Sequence, residues 1–353
     1  AVGYNAMVNI TTGIRNVAIG SGALDAEDTG SRNVAIGYGT LSTLNYDGTA
    51  YNVGIGYQAG TLITTGINNT LVGGLAGQAI TTGVNNEAFG RSSLYSNTTG
   101  GYNVAIGSSS LQNNTTASNN VAVGYESLKA NTTGNVNVAV GESALKQNTT
   151  GARNIAVGSG ALETNTTGAD NIGIGHDALN DVTDGTQNTV IGSYAGDTLT
   201  TADGNTLMGY LAGTAITTAS NNTGVGHSAL LSNTTGHLNV AVGANSLDAN
   251  TTGDANVAVG NNALSAATTS DYNTAVGHNS GAAVTTGTAN TLIGGLAGDA
   301  ITTGIRNTTV GQQSFSSNTT GSYNTALGRS ALFNNTTANN NTAVGYEALY
   351  ANT

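Results

Sequence analysis

Apolar and polar positions follow one another along the chain in a frame that resets every 17 residues. Asn opens each frame, at 16 and 33, then at 52, 69, 86, 103 and onward to 341. Every step is 17 except one of 19, between Asn33 and Asn52, where 45–50 hold a two-residue insertion. Gly follows four places after each of these twenty Asn, from Gly20 to Gly345. Counted from that Asn as position one, position four is always apolar, as in Ile19, Ile36, Phe89 and Val344. Position two is Val, Ile or Thr in every unit but one (Glu87), and position three is mostly Ala or Gly. Branched apolar residues separated by one small residue predict a short strand of period two. Gly at five ends it, because Gly alone turns freely to positive φ. A second short strand is expected on the Ala-Leu of positions eight and nine, and a third on Asn-Thr-Thr, with Gly at fifteen turning the corner. So much Gly and β-branching disfavours helix.

One such unit per turn predicts an all-β parallel β-solenoid (a β-roll) of about 21 coils, running as one continuous array over 1–353. Coils ~4.8 Å apart would make a rod of roughly 100 Å. Each coil buries little alone and bonds its backbone to the next. Identical residues then stack, and the Asn column can run as an amide ladder.

The units also differ from one another in an informative way. Position nine is Leu or Phe in fourteen of them and Gly in six: Gly60, Gly77, Gly196, Gly213, Gly281 and Gly298. In those six, position twelve changes from its usual Asn to Ile63, Ile80, Leu199, Ile216, Val284 or Ile301. An apolar group lost from one wall returns on another, as a close-packed interior demands. Positions four, nine and twelve are therefore expected to bound one core. Leu44 and Val182 break the swap, since their units keep Leu41 and Leu179. The variant units come in pairs, 52–85, 188–221 and 273–306, and the second of each pair carries Leu71, Leu207 or Leu292 at position three. Strict alternation with an inward position four would place these leucines outside the coil. Covering them would take a neighbouring chain, hence a side-by-side homotrimer.

Composition narrows the function classes. A chain that is 38% hydrophobic and 8% charged, with its apolar residues at regular intervals, does not fit disorder. Eight basic residues scattered against 19 acidic ones offer no basic face for nucleic acid or an anionic membrane. No stretch approaches the ~20 apolar residues of a membrane-inserted helix. Cys is absent, so no thiolate site exists. The chain opens and closes within a repeat and reads as an excerpt of a longer protein.

The segments 16–20, 33–37 and 103–107 all read Asn-Val-Ala-Ile-Gly. This resembles the repeat in the head domains of trimeric autotransporter adhesins of bacteria, and the Asn-Thr-Ala-Val-Gly and Asn-Thr-Thr-Gly arrays look like those of phage tail-fibre proteins. The resemblance spans essentially the whole chain as a style of repeat. It implies a parallel β-roll, three chains side by side, and attachment to a host surface, on an extracellular virion fibre or a bacterial cell surface. The unit here is longer than the usual head repeat and adds the Asn-Thr-Thr-Gly corner.

No catalytic constellation is found, so neither an enzyme nor a cofactor is expected. His176, His227 and His278 share position six but lie three coils apart, roughly 14 Å, too far to share a metal within one chain. The Gly-x-Gly fragments precede no helix and are corners rather than phosphate loops. Position six is the candidate binding column. It carries Tyr38, Tyr57, Tyr125, Tyr210 and Tyr346, with Arg91 and Arg329. Variable polar-aromatic groups beside a fixed Gly suit a glycan or protein receptor; the plainer reading is a solvated edge that tolerates any residue. The Asn and Gly columns are structural, for example Asn16 with Gly20, Asn103 with Gly107, and Asn188 with Gly192. Nine Asn-Thr-Thr triplets match the N-glycosylation acceptor pattern, although a stacked Asn/Thr ladder explains them as well. Two alternatives stand beside the attachment fibre: a purely structural extracellular filament and an ice-binding solenoid. Against the last, the two Thr of each triplet are adjacent and should point to opposite faces.

Overall fold

A computed structural model describes residues 1–352. It is a parallel β-solenoid of about 19 turns on the 17-residue repeat, with twenty three-residue strands and no helix among the described residues. The strands run from β1 (Val17–Ile19) to β20 (Thr342–Val344), and every one occupies positions two to four of its unit. Two compact units divide the chain, Ala1–Asn171 and Ile172–Thr353. The first holds β1 through β9 (Ile155–Val157), each strand paired in parallel with the next in sequence. The second holds β10 (Ile172–Ile174) through β20, paired in the same way. Register places equivalent residues opposite each other: Val104 faces Val121, Ala105 faces Ala122 and Ile106 faces Val123. The two-residue insertion does not disturb it. Gly48 N–H closes back on Tyr46 O at 2.8 Å, the extra residues bulge at that turn, and Val34 still meets Val53.

The strand faces are the reverse of the expected ones. Position three points inward and is fully buried in Ala18, Ala35, Ala105 and Ala258. Positions two and four point outward, so position four does not bound the core. The cause lies one residue upstream. Asn at position one is buried in almost every coil, Asn103 and Asn188 included, and alternation from an inward position one makes position three inward too. Asn16, near the start of the stack, is half-buried. The amide at position one has work there. Asn86 Oδ1 accepts the backbone N–H of Asn103 at 3.2 Å and its side-chain amide at 3.1 Å, while Asn103 Nδ2 donates across the coil to Ala117 O at 2.9 Å. A buried polar side chain thus meets its hydrogen-bonding needs within the stack.

Leu71, Leu207 and Leu292 are accordingly inside, with no exposed surface, and call for no neighbouring chain. They fill the space vacated at position nine. A Cβ built on Gly77 would lie 2.7 and 2.9 Å from the two Leu71 methyls and 2.8 Å from Ile80 Cδ1. On Gly60 it would lie 2.7 Å from Leu71 and 3.0 Å from Ile63. The exchange between positions nine and twelve is therefore real, with position three as its third member.

Only one of the three expected strands forms. Positions six to eleven are turns, and Asn-Thr-Thr lies in bends, yet backbone bonds between coils continue there, as in Leu41 N–H to Ala59 O at 3.1 Å and Thr132 N–H to Thr149 O at 2.9 Å. The reason is left-handed backbone at position nine, where Leu24, Leu94 and Leu128 hold φ of 54°, 50° and 50°. Such a φ costs a non-Gly residue about 1–2 kcal/mol, offset by burying the leucine, which contributes about 1.5–3 kcal/mol.

Position five needs Gly twice over. The first need is conformational: Gly20, Gly107 and Gly192 hold φ of 132°, 130° and 140°. The second is space. A Cβ on Gly107 would sit 2.4 Å from Gly124 O of the next coil, and one on Gly192 would sit 2.3 Å from Gly209 O. On Gly20 the same clash, with Gly37 O, would be at 2.2 Å. These glycines therefore do more than end the strand, which is all that their spacing suggests; they let adjacent coils approach at the corner. Position fifteen, by contrast, shows no left-handed φ in its Asn-Thr-Thr-Gly glycines, and Ala117, Ala202 and Ala219 stand there instead.

Candidate functional site

What each coil offers to solvent on its strand side is set by the same alternation. Position seventeen, just before the buried Asn, adopts left-handed backbone in both units, as in Arg32 (φ 65°), Tyr102 (φ 60°) and Tyr323 (φ 59°). The outer face therefore shows, in order, a mostly polar column at seventeen, a column at two that is Val or Ile in ten strands, Thr in nine and Glu in one, an apolar column at four, and a second mostly polar column at six. Position four stays apolar in all twenty strands while remaining accessible, with Ile19 at 43%, Phe89 at 40% and Leu327 at 45% exposure.

All seven proposed binding residues reach solvent. Tyr38, Tyr57, Tyr125, Tyr210 and Tyr346 are exposed, as are Arg91 and Arg329. Some of them are brought together. Tyr38 and Tyr57, on consecutive coils, stack with centroids 5.6 Å apart and planes 10° apart. The Arg329 guanidinium lies 5.8 Å from the Tyr346 ring, and the adjacent Glu347 carboxylate holds the Tyr346 phenol above its usual range. In the second unit four rings form a row over consecutive coils: His176 to Tyr194 at 5.2 Å, Tyr194 to Tyr210 at 6.2 Å, Tyr210 to His227 at 5.5 Å. Tyr125 joins no such group, since Ser108 and Glu142 occupy the coils on either side. His176 and His227 belong to this row, and His176 Nδ1 also lies 2.9 Å from the Asp177 carboxylate. No set of three His, Asp or Glu among the described residues could hold a metal ion.

Column seventeen went unnoticed in the sequence. Arg32 lies over Tyr51 at 5.3 Å, Arg306 over Tyr323 at 5.6 Å, and Arg153 forms a two-pronged pair with Asp170 at 2.6 and 2.7 Å. The signal was present, because position seventeen varies, most often among Arg, Tyr and Asn, beside an invariant Asn.

The Asn-Thr-Thr corner is occupied by structure. The nine triplet asparagines are fully buried, so no glycosyl group can reach them in the folded chain. Asn131 Nδ2 donates to Asn114 Oδ1 at 2.8 Å and to Gly134 O at 3.0 Å, and Asn148 repeats the step onto Asn131 at 2.9 Å. The first Thr is half-buried in eight of the nine triplets, all but Thr336, with Thr115 Oγ1 donating to Thr132 O of the next coil at 3.0 Å. The second, such as Thr99 or Thr116, faces solvent. A single exposed Thr column with its neighbour's hydroxyl already bonded is a poor template for ice.

Compared with known proteins, the chain matches no family model and no curated protein at a significant level.

Proposed function

We propose that this chain is a segment of an extracellular structural fibre that associates side by side with copies of itself, as a homotrimer, and displays recognition groups along column six. The observation that carries this reading is the accessible column at position four, apolar in all twenty strands, beside a column at position two that is Val or Ile in ten of them and Thr in nine. At ~4.8 Å per strand and a face roughly 10 Å wide, the nine strands of the first unit offer roughly 430 Å² and the eleven of the second roughly 530 Å². A standard interface takes about 800 Å² from each partner, and such a face left open invites aggregation. Mostly polar columns on either side give it the apolar centre and polar rim of a protein interface. The partner is therefore a second and third copy of this chain, the faces turned toward a common axis. This replaces the inward leucines Leu71, Leu207 and Leu292 as the reason for assembly. The fibre setting, on a virion or a bacterial surface, follows from the resemblance of the repeat. Tyr and Arg at column six make large contacts at modest entropic cost.

Attachment assays on cells test the display function. Replacing Tyr38, Tyr57, Tyr125, Tyr210 and Tyr346 with Ser should leave the fold and assembly intact and reduce attachment. Undiminished attachment would leave the array a spacer, the purely structural alternative.

A further inference from the structure

Near the start of the first unit the outer columns are interrupted by a cavity of about 250 Å³. It forms because two consecutive coils lack side chains where most others have them. Position seven is Gly22 and Gly39 in consecutive coils, and Ser21 is the small residue at position six between Tyr4 and Tyr38. Open space stands over both glycines: a Cβ on Gly22 would find only Asp25 Oδ2, at 3.9 Å, and one on Gly39 only Gln58 Cγ, at 3.6 Å. Asp25 and Ser42, at position ten, form the opposite wall. The Asp25 carboxylate makes no hydrogen bond or ion pair among the described residues. The hydroxyl of Thr61, further along that wall, is already committed to backbone carbonyls, Gln58 O at 2.9 Å and Gly39 O at 3.1 Å.

We infer that this cavity binds one ring of an uncharged saccharide. Spacing is the first reason. Column six stacks its rings from coil to coil, as Tyr38 does on Tyr57, and Ser21 leaves one rung of that stack unfilled. Tyr4 and Tyr38, two coils apart, are separated by about 9.6 Å of solenoid, so a flat ring entering the gap sits ~4.8 Å from each, within stacking range. Chemistry is the second. One edge of the inserted ring meets a carboxylate and a hydroxyl, which suits a ligand with apolar C–H faces and a rim of hydroxyl donors. An aromatic ligand would desolvate Asp25 and Ser42 without replacing their hydrogen bonds. An anionic sugar would meet Asp25 with no cation among the lining residues to offset it. The volume falls below the ~300–1,000 Å³ of drug-sized sites, which limits the occupant to a small one.

The inference rests on reading column six as a display surface, and its test separates the two. The whole chain is titrated calorimetrically with methyl glycosides of neutral hexoses and N-acetylhexosamines, with a uronic acid and indole as comparison ligands. At least one neutral glycoside should bind, and Ser21→Tyr, which fills the empty rung with a residue that column six accepts elsewhere, should weaken it at least tenfold. Ala244→Tyr, the same change at column six in the second unit, should leave binding unaltered. Should Ser21→Tyr disturb the fold, Asp25→Ala decides by the same tenfold criterion. Absence of binding by every neutral glycoside, tighter binding of indole or the uronic acid, or binding indifferent to the deciding substitution would overturn the inference. Attachment lost with the five Tyr→Ser changes while no glycoside binds would refute the saccharide site alone. Glycoside binding with undiminished attachment would refute the display reading alone.

Discussion

Single residues in this solenoid are constrained by the coil above and below more than by their own neighbours in sequence. Gly77 illustrates it: its missing side chain is what admits Leu71 to the core. Gly77→Leu should lower stability by about 1–3 kcal/mol through overpacking, and Leu71→Ala by about 2–5 kcal/mol through the cavity it leaves. Together they should cost less than the sum, since each relieves the other. Denaturant midpoints of the two single variants and the double check this, and strict additivity would deny that they share one space. Glu27 is a second case. It occupies position twelve, buried, with Oε1 accepting from Gly30 N–H at 2.7 Å and Oε2 unpartnered. Desolvation raises its pKa above the ordinary 4.5. A carboxyl whose folded pKa is raised contributes stability below its unfolded pKa and loses it as pH climbs through the folded one. Glu27→Gln should therefore raise the melting temperature at neutral pH and give no gain below about pH 4, where the wild-type carboxyl is already neutral. Glu126 has the opposite sign. Hydrogen bonds from Lys129 and Lys146 lower it to about 2, so its contribution is present above 4.5 and fades as pH falls toward 2.

At the scale of the element, the repeat, its strand at positions two to four and its Asn ladder were legible in the sequence because all three depend on period alone. The direction of the strand was not. Alternation says that positions two and four share a face, but not which face. Hydrophobicity pointed the wrong way, because the branched residues are outside and the alanines inside. What decides is Asn at position one, whose amide must bond across the coil. A rule that puts apolar residues inward cannot anticipate a buried Asn column. The second and third strands failed for a related reason, since left-handed leucines such as Leu128 are invisible to propensity. The glycines of position five, Gly107 and Gly192 among them, were legible as corners, but their close approach to the next coil shows only when the coils are stacked. The second Asn ladder, at position twelve, gives a further prediction. Asn131→Ala removes the donor to Asn114 Oδ1 and the acceptor of Asn148 Nδ2. Leaving Asn114 Oδ1 unpaired, and Asn148 Nδ2 with Gly151 O alone, should cost about 1–3 kcal/mol. The same change at exposed Asn113 should cost less than about 0.5 kcal/mol. Equal effects, read by hydrogen exchange of the surrounding amides, would show that the ladder contributes nothing.

For the whole molecule, the absence of a metal-ligating cluster among the described residues matters less than what the chain does present, an apolar stripe that its own fold leaves uncovered. Column six is legible in the sequence as a display candidate by its variability, and column seventeen is legible in the same way. The cavity at Ser21 is not, since it arises from what two stacked coils lack together. Self-association through the stripe is the claim on which the fibre reading stands. The direct test is the mass in solution of the purified chain, by light scattering after gel filtration, beside a variant carrying Ile106→Lys, Val123→Lys and Val140→Lys. These three point outward on consecutive coils, so the variant should fold with the same circular dichroism. The account predicts a wild-type particle of three 34.8 kDa chains, about 104 kDa, and a folded variant of one. A wild-type chain that stays folded, soluble and monomeric would contradict it.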